Sequence, residues 1–124
     1  MDTTDRKTAN IQRMLAMPFG GIYPLYVAKA EKKGRTAADV DLIIQWLTGY
    51  KDGELHTHLA NGTSVRDFID GAPDFNPAAS KITGTICGYR IEEIEDPLVR
   101  KIRYLDKLVD ELAKGKPMEK ILRQ

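Results

Sequence analysis

The sequence predicts an all-α fold: a small single-domain orthogonal helical bundle, with room for one short β-hairpin near 81–91. Three observations carry that expectation. Apolar residues recur at helical spacing in several windows, no convincing strand alternation interrupts them, and Gly, Pro, Asn or Asp punctuates the window ends. A chain of 124 residues is of one-domain size. At that length folding buries roughly two-thirds of the surface of the unfolded chain, so neither a metal nor a disulfide is required.

In chain order, residues 1–10 are polar and read as a frayed extension ahead of a helical domain over 11–124. IQRMLAM (11–17) places Ile11, Met14 and Leu15 at helical spacing, and Pro18 with Gly20-Gly21 is expected to break that helix. The next helix is expected over 23–33, with Pro24 in its first turn and Gly34 just past its end. The clearest signal follows. Thr36 as N-cap with Asp39 three residues on is an acidic variant of the capping box, Val40, Ile43, Ile44 and Leu47 follow at i, i+3, i+4 and i+7, and Gly49 ends the run.

ELHTHLA (54–60) reads as a short helix stopped by Asn61-Gly62, and Ser64 with Asp67 opens another that Gly71 and Pro73 close. Asn76-Pro77 is an N-cap and N1 pair, which favours a helix over 77–91. Yet Ile82, Ile86 and Ile91, with Gly84 and Gly88 between them, fit neither period, so TGTICGYRI also reads as a short strand pair. Asp96 and Pro97 cap a long helix to about 114, Gly115 stops it, and Pro117 opens a final turn through Leu122.

Two of these phrases, YPLYVAKAEKKGRTAADVDLIIQWLTGY (23–50) and ICGYRIEEIEDPLVRKIRYLDKLVDELAKGKPMEKIL (86–122), resemble a bacterial family catalogued as domain of unknown function 2200. The resemblance covers about residues 17–123. It implies a small, soluble, mostly helical bacterial protein, and it carries over no catalytic or binding residue.

Composition narrows the function classes. Nineteen basic and eighteen acidic residues leave a net charge of +1, which supplies no global field for nucleic acid or anionic lipid. Cys87 is the single cysteine, so no internal disulfide forms. The opening MDTTDRKTANIQRML has no apolar core of a signal peptide, and no apolar run reaches the ~20 residues of a membrane span. A reduced, cytoplasmic protein is the expectation, with no cofactor and no metal set.

The candidate sites each have a plainer structural reading. Glu92, Glu93, Glu95 and Asp96 sit at or just before the start of the long helix, where the exposed amides and dipole favour negative charge. As chemistry, Cys87, Arg90, Glu92 and Glu95 are weak catalytic candidates that would have to line one cleft. Cys87 itself, between Ile86 and Gly88, reads as a buried small hydrophobe. His56 and His58 stand two apart, so on a helix they point away from each other and cannot chelate one ion together.

Lys29, Lys32, Lys33 and Arg35 make a basic patch beside a Gly-containing turn, but Asp39 and Asp41 at the next helix start would repel phosphates, so nucleic-acid binding is disfavoured. Tyr23, Tyr26, Arg35, Trp46 and Tyr50 are grouped as the candidate small-ligand pocket. Leu98, Ile102, Leu105, Val109 and Leu112 repeat at 4, 3, 4, 3, the seam spacing of a coiled coil. A bundle helix packed on its own core shows the same stripe. The leading expectation is a non-enzymatic module that contacts itself or another protein through that seam.

Overall fold

The structure, a computed structural model, describes residues 3–123. Its elements are α1 (Thr3–Ala16), α2 (Phe19–Glu31), α3 (Ala37–Thr48), α4 (Asp52–Asn61), α5 (Val65–Asp70), β1 (Thr85–Ile86), β2 (Tyr89–Arg90), α6 (Pro97–Ala113) and α7 (Met118–Ile121). Single 3₁₀ turns lie at Pro77–Lys81 and Ile91–Glu93. The chain is therefore mostly helical, with one two-strand antiparallel hairpin. No helix among the described residues is long and apolar enough to cross a membrane. Of the extension expected over 1–10, residues 1–2 lie outside the described residues, and α1 begins at Thr3.

The capping arithmetic of α3 holds in full. Thr36 Oγ1 accepts from the Asp39 amide at 3.2 Å, Asp39 Oδ2 accepts from the Thr36 amide at 3.1 Å, and Gly49 ends the helix in the left-handed region at φ 81°. Val40, Ile43, Ile44 and Leu47 are buried as one face. Local rules also serve α5, where Ser64 Oγ accepts from the Asp67 amide, and α6, where Asp96 Oδ1 accepts from the Leu98 amide at 2.9 Å.

The expectation for α2 needs correction. The helix starts at Phe19, not at 23, and Gly20-Gly21 lies inside it. Tertiary contacts override the glycine signal. The Phe19 amide donates to Thr63 O and the Val65 amide to Met17 O, both at 2.8 Å, so Pro18 and Ser64 are bridged and the helix entry is fixed from outside. A Cβ at Gly20 would stand 3.0 Å from the Leu59 carbonyl oxygen, so the glycine is what lets α4 approach α2. At the far end Gly34, at φ 78°, turns the chain so that the Arg35 amide reaches Ala30 O.

The open choice over 77–91 resolves to a 3₁₀ turn followed by a hairpin. Thr85 pairs with Arg90 and Ile86 with Tyr89, which leaves Cys87-Gly88 as a two-residue turn. Both turn residues have positive φ, 52° and 80°, the requirement of a type I′ turn. Cys87 is consequently exposed, not buried as expected, because the turn lifts it off the core while Ile86 and Ile91 stay in it.

α6 is the axis of the molecule, in contact with α2, α3, α5, α7 and β1. Leu98, Ile102, Leu105, Val109 and Leu112 are all buried within this chain. Each such fully buried aliphatic side chain contributes roughly 1.5–3 kcal/mol relative to exposure. Phe19 stacks on Phe68 with ring centroids 4.1 Å apart, Tyr50 tilts against Phe68, and the Tyr50 hydroxyl donates to Phe68 O at 2.7 Å.

Candidate functional site

A concave feature with a largely apolar lining lies between α1, α2, α6 and the hairpin, a recess of about 410 Å³. Met14, Ile22 and Ile86 form its walls, and Met17 and Leu25 stand at its rim. Those two rim residues are 44% and 66% exposed, and among the described residues Leu42 is the other exposed large apolar side chain. Helical spacing explains the placement: Ile22 and Tyr26 turn inward on α2, and Leu25, three residues on from Ile22, falls on the exposed flank of that same face.

The floor is polar and closed on itself. Tyr26 donates to Asp106 Oδ1 at 2.6 Å, and Arg103 Nη1 meets Asp106 Oδ2 at 2.9 Å. Burial pushes the Tyr26 hydroxyl well above its ordinary pKa, and the neighbouring Asp106 charge adds to that shift. The Arg103 guanidinium lies 4.9 Å from the Tyr89 ring centroid, and its buried Nε has no hydrogen-bond partner among the described residues. At the edge, Lys29 and Lys114 both reach Asp110, at 3.1 and 3.0 Å. Burial alone would raise the Asp110 carboxyl, but the two lysines hold it below its ordinary range.

A neighbouring recess, about 570 Å³, is lined by Ile11, Gln12, Tyr89, Arg90, Glu95 and Val99 among others. Cys87 faces the first recess, while Arg90 and Glu95 face the second. Glu92 Oε1 accepts from the Gly84 amide at 2.5 Å, and Arg90 stands 3.9 Å from both Glu92 and Glu93. These residues brace the hairpin and the start of α6, and they do not converge on one cleft with Cys87.

The five residues read as an aromatic pocket are used singly. Tyr26 floors the recess, and Tyr50 is buried against Phe68. Tyr23 donates to Asp41 Oδ1, Arg35 reaches Lys116 O and pairs with Asp39, and the Trp46 carbonyl accepts from Asn76 Nδ2. Within the basic patch, Lys29 and Arg35 are thus already paired with acids.

His56 and His58 occupy opposite sides of α4. His58 Nδ1 is 2.9 Å from Thr63 Oγ1, with its ring against Tyr50 and Phe68. His56 instead meets two carboxylates. Its Nε2 is 3.4 Å from Asp41 Oδ2 and 3.5 Å from Asp52 Oδ1, and one ligand-capable atom from each of the three lies within 4.8 Å of the others. Sequence reasoning missed this trio by not testing His56 against Asp52. The signal was Asp52 and His56 at i and i+4 on one helix; Asp41 joins only when α3 packs on α4.

Comparisons with known proteins give two matches. A family model described as "Uncharacterized protein conserved in bacteria (DUF2200)" matches residues 13–123. A crystal structure of uncharacterized protein SP1917 is similar at a TM-score of 0.85 and 45% identity, covering 90% of this chain and 91% of that one. A search of the curated proteins finds no match.

Proposed function

The chain belongs to the DUF2200 family of uncharacterized proteins conserved in bacteria, and we propose that it is a protein–protein contact module that pairs with a second copy of itself. One observation carries the reading: Leu25, 66% exposed, stands at the rim of an apolar recess walled by Met14, Ile22 and Ile86. A protruding apolar side chain beside an apolar hollow is self-complementary. In a two-fold arrangement each copy seats its Leu25 in the other's recess, and the same patch serves both sides. Methionine at such a surface adapts to an imperfect partner.

The contact face thus differs from the stripe on α6, which the chain's own core covers. Lys29 and Asp110 lie at the edge, where a polar rim surrounds the apolar centre of an interface. Solution mass tests the proposal, measured by light scattering after size exclusion over about a hundredfold range of concentration. The expected mass rises toward twice the 13.9 kDa chain mass at the upper end, while Leu25→Asp stays at the monomer value. A wild-type chain that remains monomeric throughout overturns it.

A further inference from the structure

We propose that Asp41, Asp52 and His56 form a binding site for a divalent first-row metal ion that takes mixed nitrogen and oxygen ligands, with Zn2+ as the type. The site lies on α3 and α4, away from the elements of the self-association recess. Asp52 and His56 share one face of α4 and Asp41 meets them from α3.

The separations favour an ion over a shared proton. His56 Nε2 stands 3.4 Å from Asp41 Oδ2 and 3.5 Å from Asp52 Oδ1. Both exceed the ~2.7–3.2 Å of a well-formed N–H···O hydrogen bond. Ligands held at ~2.0–2.1 Å around a tetrahedral ion are, by geometry, about 3.3–3.4 Å apart. The ring nitrogen stands from each carboxylate oxygen at about the spacing of neighbouring ligands, and the three ligand atoms lie within 4.8 Å of one another.

Charge points the same way. Among the described residues, the acids that are not exposed are Asp39, Asp41, Asp106, Asp110 and Glu111. Arg35 pairs with Asp39, Arg103 with Asp106, Lys29 and Lys114 with Asp110, and Lys116 and Arg123 with Glu111. Asp41, whose side chain is 16% exposed, meets no lysine or arginine in a described ion pair, and a second carboxylate faces the same imidazole. A bound divalent ion would bring a full positive charge to both carboxylates.

The ligand atoms are also held in place. The Tyr23 hydroxyl donates to Asp41 Oδ1 at 2.5 Å and leaves Oδ2 turned to the site; Gln45 Nε2 donates to Asp52 Oδ1 at 3.2 Å. Hydrogen bonds of this kind orient metal-ligating carboxylates. Three protein ligands leave the fourth tetrahedral position to water.

Calorimetric titration of Zn2+ into tag-free protein tests this, in a Cys87→Ser background so that the exposed thiol does not compete. The expected result is one ion per chain, with affinity about tenfold or more weaker in His56→Ala and in Asp52→Asn, and unchanged in His58→Ala. His56 and Asp52 are 50% and 72% exposed, so neither substitution disturbs the core. Absence of saturable one-to-one binding overturns the proposal, as does binding that His56→Ala and Asp52→Asn leave intact.

Discussion

Tyr26 on α2 donates a 2.6 Å hydrogen bond to Asp106 on α6, across 80 residues of sequence, at the floor of the recess. Asp106 accepts from Arg103 with its other oxygen, so removing the hydroxyl leaves the carboxylate a single strong partner. Tyr26→Phe is expected to lower unfolding free energy by about 1–2 kcal/mol near neutral pH. Burial first, and the Asp106 charge second, raise the Tyr26 pKa in the folded chain, so the neutral phenol is the form that folding favours. That contribution is complete below the unfolded value of about 10 and is lost as pH climbs toward the folded one. Urea unfolding should therefore show the gap between wild type and Tyr26→Phe narrowing above about pH 10.

The C-terminal turn is fastened by Glu111, a buried acid on α6. Arg123 Nη1 reaches its Oε1 at 2.6 Å and Nη2 its Oε2 at 2.8 Å, with Lys116 at 3.4 Å. Burial alone would raise the Glu111 carboxyl, but the Arg123 hydrogen bonds and charge, aided by Lys116, hold it below its ordinary value. The stabilisation is present above the unfolded pKa of about 4.3 and disappears as pH falls through the folded one. Arg123→Ala should cost about 2 kcal/mol at pH 7, less than a fully unpaired buried charge because Lys116 remains. Measured by denaturant unfolding, the difference from wild type should shrink below about pH 4.

Gly49 and Gly62 both end helices in the left-handed region, at φ 81° and 70°, yet they should respond differently to alanine. At Gly62 nothing stands within 4 Å of an added Cβ, so the penalty is the conformational one, about 1 kcal/mol. At Gly49 the Cβ would fall 2.7 Å from Asp74 Cβ and 2.9 Å from the Asp74 amide nitrogen, and the Asp74 amide is itself bonded to Thr48 O. Gly49→Ala should therefore lower the melting temperature by at least twice as much as Gly62→Ala.

How far local rules reach shows in these elements. α3 could be read to the residue because its cap, its apolar face and its terminating glycine all lie within one short window. α2 could not, because its start depends on Met17 and Phe19 bonding to the 63–65 segment and on Leu59 needing the space at Gly20. Periodicity on α6 located the apolar face correctly but was silent on what covers it, since a seam and a core present the same spacing. The same holds for the recess and for the Asp41, Asp52 and His56 trio, which exist only once separate helices meet.

Cys87 is the residue whose reading changed most, and its backbone says why. An apolar flank suggested burial, but the type I′ turn that closes these two strands requires positive φ at both of its positions. Cys87 adopts 52° there and its side chain is exposed. Two outcomes follow from one geometry. A thiol-specific reagent should label the native monomer, at concentrations too low for pairing, within about threefold of the rate for the unfolded chain, since Cys87 is exposed in the single chain. Asparagine tolerates the left-handed region better than other side chains, and Asn-Gly is a preferred pair for this turn. Cys87→Asn should accordingly stabilise the fold by about 0.5–1 kcal/mol in denaturant unfolding. A thiol that reacts only after denaturation, or an asparagine that destabilises, would mean that the hairpin is not closed by this turn.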